Sequence, residues 1–301
     1  MQSFKIKEKY VNKEIIYVIQ KEFPRVSLSA LNKAFRLKDV KVNDIRVNKD
    51  YIVKLNDEVK VYIKDEALFG FSKDIFYAYE DDNILISYKP KGIASTKASE
   101  KTSNTIYFDT LVKEQKGDVI ICHRLDTNTE GLLIFAKNKQ THEEILENFK
   151  ENIHKQYIAL VHGKLPKQKD LLSHFIIKDE KTGYSKIVDK EVKGSKSCIT
   201  EYNVIKYFKD KNCSVINVLL HTGRTHQIRA HMKYLNSPVI GDSKYSTNEI
   251  NNKFKLNSQM LFACKYTFSF KETSPLHYLN NVIIDVSNIA LDKIQKVLDY
   301  V

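Results

Sequence analysis

The residues best suited by type to chemistry are His123-Arg124-Leu125-Asp126, followed by Thr127-Asn128-Thr129-Glu130-Gly131 and the apolar run Leu132-Leu133-Ile134-Phe135-Ala136. An apolar run entered through a glycine predicts a strand buried on both faces, which leaves the polar residues before it at the lip of the core. Asp126 is then a carboxylate at the edge of a sheet. There it stays ionised only if a cation or several donors meet it. The cation to look for lies far along the chain, in Gly223-Arg224-Thr225-His226-Gln227-Ile228-Arg229. Local pattern alone leaves a blander reading open, because an aspartate before a strand commonly closes a turn or caps a helix.

Further segments flank these. Lys89-Pro90-Lys91-Gly92 precedes them, Lys155-Gln156-Tyr157-Ile158-Ala159-Leu160-Val161 lies between, and Ala230-His231 and Gly241-Asp242 follow. In this order, over residues 76 to 286, the chain resembles the RluA-type pseudouridine synthases, which isomerise uridine to pseudouridine in RNA. The resemblance implies an α+β protein whose catalytic domain is built on a mixed, largely antiparallel sheet. The implied reaction breaks the bond from sugar to ring nitrogen, turns the freed uracil and joins the sugar to a ring carbon. It needs a carboxylate, a cation beside it and a pocket for the base, and no cofactor, metal or redox step is expected.

Carried over residue by residue, the resemblance makes Asp126 the essential aspartate. Arg229 becomes the arginine that pairs with it, expected as a buried bidentate pair. Tyr157 becomes the active-site tyrosine, whose ring can stack on uracil and whose hydroxyl can assist removal of a ring proton. Arg124 resembles the residue that fills the space vacated when the target nucleotide leaves its stack. His123 and Arg224 are expected to position RNA. Whether Asp126 attacks the sugar, attacks the ring or removes a sugar proton stays open. Two residues depart from the family pattern. Glu130 stands where serine is common, adding negative charge close to the expected RNA path. Leu261-Phe262-Ala263 replaces Leu-His-Ala, so any contact of that histidine is absent.

The elements that position these residues follow from charge and period. Lys and Arg outnumber Asp and Glu by 49 to 37, and the +12 balance favours a polyanionic partner. Residues 1 to 64 hold 15 basic and 8 acidic side chains, hence +7 of that excess. Ile15, Ile16, Ile19 and Phe23 share a helical stripe that Pro24 closes, and Ser27 is placed to cap a second helix. On the latter Leu28, Leu31, Ala34 and Phe35 face one way, while Lys33, Arg36 and Lys38 lie outside the stripe. The period then changes to two through Val40 and Val42, an Asn43-Asp44 turn, Val47, and Val59, Val61 and Ile63. This order resembles the small α/β RNA-binding domain first known from the small-subunit ribosomal protein called S-four. That resemblance points to Lys33, Arg36, Lys38, Lys41 and Arg46 as RNA contacts.

Residues 1–64 are therefore read as an RNA-binding domain, 65–74 as a linker and 75–301 as the catalytic domain. In the last, Ile75-Phe76-Tyr77 and Ile84-Leu85-Ile86 predict a hairpin. Residues 94 to 118 lack periodicity and read as a mobile loop or a substrate-contacting flap. A helix is expected over His142 to Ile153, with Ile145, Phe149 and Ile153 on one stripe, and a strand over Lys155 to Val161. Strands follow over Cys198 to Tyr207 and Ser214 to Leu220, with a closing helix over Ile289 to Leu298.

The four cysteines, Cys122, Cys198, Cys213 and Cys264, form no C-x-x-C pair, so neither a zinc site nor a disulfide framework is indicated. Met1 to Tyr10 lacks the apolar core of a leader, and no stretch approaches the roughly 18 apolar residues of a membrane span. A cytoplasmic monomer without membrane attachment is expected. His221, His226, His231 and Asp242 raise a metal-dependent nuclease as one rival, but on a helix a spacing of five points His226 and His231 in different directions. A non-catalytic RNA-binding or ribosome-assembly factor is the other. The joint presence of Asp126, Tyr157 and Arg229 favours an enzyme over it. Relatives with such an amino-terminal module commonly act on large-subunit ribosomal RNA, so that substrate is favoured and transfer RNA is the alternative.

Overall fold

The computed structural model describes residues 2–24, 26, 28–63, 74–97 and 107–301. They fall into two compact units, Met1–Ile75 with Lys97–Leu111, and Phe76–Thr96 with Val112–Val301. Ser27 and nearly all of the expected linker lie outside the described residues.

The smaller unit runs β1 (Gln2–Lys5), α1 (Ile15–Glu22), α2 (Leu28–Arg36), β2 (Val40–Val42), β3 (Ile45–Arg46) and β4 (Glu58–Val61), with the strands ordered β1-β4-β2-β3 and all antiparallel. Ile15, Ile19, Phe23, Leu31, Ala34 and Phe35 meet Val40, Val42, Val59 and Val61 in one core. Val18 is buried too, and Ile16 only partly, so the apolar stripe of α1 is rotated slightly from the expected one. Asn43 and Asp44 both have positive φ (49° and 65°), the geometry of a two-residue hairpin turn. Buried Asp57 braces that hairpin, accepting from Asn43 Nδ2 at 2.8 Å and the Lys54 amide at 2.9 Å. Strand β1 was not legible because only alternate residues of a short polar segment are partly buried.

The larger unit is built, among the described residues, on eleven strands. These are β5 (Tyr77–Glu80), β6 (Ile84–Lys89), β7 (Ile120–Ile121), β8 (Glu130–Ala136), β9 (Ile153–His162), β10 (Lys169–Asp179), β11 (Tyr184–Val188), β12 (Lys196–Phe208), β13 (Cys213–Leu220), β14 (Leu261–Phe268) and β15 (Ile284–Asp285). Their order is β11-β10-β12-β13-β9-β14-β8-β6-β5, with β7 on β8 and β15 on β14. Strands β8 and β14 pair in parallel and the other described pairs are antiparallel, so the sheet is mixed and largely antiparallel, as expected. All seven residues of β8 are buried. Gly131 permits the parallel pairing: a Cβ there would lie 2.1 Å from the Ala263 carbonyl oxygen, and its φ is +123°.

The helices of the remaining chain are α3 (Phe108–Lys116), α4 (Lys139–Asn148), α5 (Gln227–Tyr234), α6 (Asn248–Lys253) and α7 (Ser287–Tyr300). Helix α3 occupies part of the stretch read as a loop or flap, while residues 98–106 lie outside the described residues. Helix α4 starts on Asn138, whose side chain accepts from the Thr141 amide, and stops at Asn148, five residues earlier than the stripe suggested. Ile153 belongs to β9 instead. Its burial continues the helical period by coincidence, because strand and helix press on the same core.

Candidate active site

Asp126 lies in the connection from β7 to β8, and its backbone neighbours are fastened on every side. Ser95 Oγ donates to the Leu125 carbonyl and accepts from the Leu125 amide, both at 2.9 Å. Lys89, fully buried, aims its ammonium at the carbonyls of Pro90, Ile93 and Thr127 at 2.9, 2.9 and 3.1 Å. The Gly92 amide also donates to Thr127 O, the Thr129 amide donates to Asp126 O, and Gln259 donates to Thr129 Oγ1 at 2.6 Å. A loop with so many satisfied backbone groups can hold a carboxylate within a narrow range of positions. Burial pushes the Lys89 ammonium down to about 7, against the opposing pull of Glu130 and Asp126.

Arg229 projects from α5 and uses its guanidinium on two carboxylates. Nε and Nη2 grip Asp242 at 2.6 and 2.9 Å, while Nη1 reaches Asp126 Oδ2 at 2.7 Å. The expected bidentate pair thus forms with Asp242, and Asp126 receives the remaining single bond. The reason is position: Asp242 is wholly buried and also accepts the amides of Lys244 and Tyr245, whereas the Asp126 side chain stays 28% exposed. Gly241 sets this up, since a Cβ there would sit 2.0 Å from the Ser258 carbonyl oxygen and its φ is +84°. Burial opposes the charge of Arg229, but the bonds and charge of Asp242, with Asp126, hold its proton above the ordinary range. Oδ1 of Asp126 has no bond to the described residues.

A cavity of about 410 Å³ opens over this pair, lined among others by Arg124, Asp126, Tyr157, Arg224, His226 and Lys244. That volume is within the range of small-ligand sites. Tyr157 comes from β9, where it pairs with Val218 on one side and Ala263 on the other. Burial, then the charge of Asp126, raises its phenol above the ordinary value, so it stays neutral near pH 7. His226 stands at the entrance to α5 with φ of 58°, its Nε2 3.8 Å from Asp126 Oδ2 and its Nδ1 3.0 Å from the Tyr245 hydroxyl.

Arg124 is exposed on the cavity wall and Arg224 donates through Nε to Ser197 O. His123, expected to position RNA, is half-buried and is not among the residues that line the cavity. Its Nε2 accepts from the Ile134 amide at 3.2 Å, and its ring packs on Phe149 and Tyr266. Burial and the nearby Lys155 push it down to about 3, so the half-buried ring is neutral. Glu130 is likewise turned inward, bonded to Lys293 of α7 and to Tyr88, and presents no charge to the cavity. Phe262 is a core residue. His221, His226 and His231 have separate partners: Glu201, Tyr245, and Thr200 with Cys198. In the smaller unit Lys33, Arg36, Lys38 and Arg46 are exposed, and Lys41 faces Arg46 and Lys60 across adjacent strands, its Nζ 5.3 Å from the Tyr62 ring.

Asp242, His226, Tyr245, Lys89, Ser95 and Gln259 were not assigned to the site from sequence. A signal existed for Asp242: a buried arginine facing a partly exposed carboxylate needs a second acceptor, and Gly241-Asp242 lay in the matched segment.

Arginine-held aspartate, cavity and cationic wall together suit a nucleotide rather than an apolar ligand. The chain matches the RNA pseudouridylate synthase family over residues 83–234, just over half of its length. It is 30% identical over 289 residues to the ribosomal large subunit pseudouridine synthase C of Buchnera aphidicola subsp. Baizongia pistaciae, covering 88% of this chain and 91% of that one. With the protein of the same name from Rickettsia felis it is 32% identical over 250 residues, covering 77% and 81%. The fold is shared with the solved structure of Human RNA Pseudouridylate Synthase Domain Containing 1, at a TM-score of 0.56 and 23% identity over 67% of this chain and 81% of that one. The chain belongs to the RNA pseudouridine synthase family and is an isomerase acting on RNA uridine.

Proposed function

We propose that the protein isomerises uridine in large-subunit ribosomal RNA, with Asp126 as the essential aspartate. The observation that carries this reading is the Arg229–Asp126 bond at the cavity, which ties Oδ2 and leaves Oδ1 available to the substrate. The names of the Buchnera and Rickettsia relatives support the ribosomal substrate over transfer RNA.

In the reaction the C1′–N1 bond breaks and a C1′–C5 bond forms, while the C5 proton leaves and N1 gains one. Asp126 carries the negative charge that meets the sugar or the ring. Arg229 fixes its orientation, and Tyr157 supplies a neutral phenol ring on which the uracil stacks while it turns. Arg124 fills the space left by the extruded nucleotide, and Arg224 and Lys244 hold phosphate at the cavity wall. Residues 1–64 act as an S-four-like RNA-binding domain through Lys33, Arg36, Lys38, Lys41 and Arg46, and residues 75–301 as the catalytic domain. The protein works as a cytoplasmic monomer. Among the described residues no helix is long and apolar enough to cross a membrane.

Tritium release from C5-labelled uridine tests the substrate class. Release is expected from ribosomal RNA and not from transfer RNA. The reverse pattern would reassign the substrate, and silence on both and on ribosomal precursors would favour an RNA-binding factor.

A further inference from the structure

His226 is held in a way that its place in the chain does not explain. Its φ of 58° is a left-handed conformation that residues with a side chain adopt at a cost of about 1 kcal/mol or more. Gln227 beside it is anchored at both ends of its side chain. Its side chain accepts from Thr222 Oγ1 at 2.8 Å and the Arg224 amide at 3.0 Å, and donates to Ile199 O and Thr200 Oγ1. A strained residue on the wall of a cavity is the kind of outlier from which a role for its side chain is inferred.

The hydrogen bonds also assign its tautomer. The Tyr245 hydroxyl accepts the Ser185 amide at 2.7 Å, and Tyr245 is buried, so its own proton needs an acceptor. Among the described residues its hydroxyl is hydrogen-bonded to His226 Nδ1 at 3.0 Å, which can accept that proton, and the Ser185 hydroxyl lies beside it as well. With Nδ1 accepting, the neutral ring carries its proton on Nε2, the atom 3.8 Å from Asp126 Oδ2.

We propose that His226 is a positioning residue for Asp126: Tyr245 fixes it as the Nε2–H tautomer, and that N–H closes on Oδ2 beside Arg229 when substrate fills the cavity. Oδ1 is then the oxygen that meets the uridine. The separation of 3.8 Å is too long for a hydrogen bond at rest, and catalytic bonds of this kind tighten in the substrate complex. The groups that face the ring are Asp126 from the loop before β8, Arg229 from α5, and Lys244, Asp242 and Tyr245 from the loop after Gly241. Burial lowers the proton affinity of His226, outweighing the pull of Asp126, which keeps the ring a neutral donor. Protonation would set an Nδ1–H against the Tyr245 hydroxyl proton.

The inference rests on Asp126 being the essential aspartate, and its test separates the two. Single-turnover rates and RNA affinity are measured for Asp126→Asn, His226→Ala, His226→Gln and Tyr245→Phe, with thermal melts to confirm folding. A glutamine amide nitrogen reaches close to the position of Nε2, so His226→Gln should stay within about threefold of wild type while His226→Ala falls about 10–100-fold in rate at unchanged affinity. Tyr245→Phe frees Nδ1 to take a proton beside Asp126, so the acid limb of its pH–rate profile should move to higher pH. His226→Gln should lose the part of that limb due to the imidazole. A rate for folded His226→Ala within about twofold of wild type, glutamine no better than alanine, or an unmoved profile in folded Tyr245→Phe would overturn the positioning role. Undiminished turnover by Asp126→Asn would instead overturn the reading beneath it.

Discussion

Arg229 is the residue on which two carboxylates depend, and its divided bonding sets a hierarchy between them. Asp242 takes the two-point grip and keeps the guanidinium in place, and Asp126 takes the bond that remains. Asp242→Asn should therefore damage the site without touching the cavity. Loosening a buried charge pair costs about 3 kcal/mol, a fall in Tm of roughly 10 °C for a domain of this size, and turnover should drop at least about tenfold as Arg229 drifts. A melting curve and rate equal to wild type would contradict this. Lys89 gives a pH prediction. Its folded value near 7 lies below the unfolded value of 10.5, so between them the unfolded chain holds a proton that the folded chain lacks. Stability then rises with pH across that window. Lys89→Met has no such group, and its Tm deficit relative to wild type should widen from about pH 7 to about pH 10. A constant or narrowing gap would count against a depressed Lys89. At this scale the sequence spoke through motif and residue type. Asp126, Tyr157 and Arg229 do meet at one cavity, but His123 turned inward, because adjacent residues of an extended loop face opposite ways and only the fold decides which one sees the core.

Strands β8 and β14 are the elements that carry the site, one leading out of the Asp126 loop and the other packed beside Tyr157. Their pairing is stitched to α7 by Lys293, which neutralises the buried Glu130 at the first position of β8. Lys293→Met should strand that carboxylate and destabilise the protein by about 1–2 kcal/mol. Adding Glu130→Ser should restore most of the loss, and additive effects in the double variant would rule out the pairing. Legibility at this scale followed burial. Strand β8, with seven buried residues, and β13, with its apolar run, declared themselves. Strands β10 and β11 did not, because Leu172, Ile176 and Ile187 are their few buried apolar positions among charged and exposed ones. The Glu130 departure looked like a substrate feature from sequence, since its partner Lys293 is distant in the chain.

On the scale of the whole molecule the excess of positive charge is concentrated toward the amino terminus, and Lys41, Arg46 and Lys60 stand opposite one another on the small sheet. Like charges placed so are tolerated where an anion can meet them, although Asp44 already engages Lys60 at 2.8 Å. Deleting residues 1–64 should weaken RNA binding and flatten its dependence on salt, the slope changing by about 0.7–0.9 for every phosphate that is no longer neutralised. An unchanged slope would move the electrostatics to the larger unit. The central claim concerns Asp126, and the most direct measurement is tritium release from C5-labelled ribosomal RNA by wild type and by Asp126→Asn, with RNA affinity measured in parallel. Release by wild type, none above background by Asp126→Asn, and affinities within about threefold of each other are the predicted result. Release by Asp126→Asn at a rate near wild type would contradict the assignment of the essential aspartate.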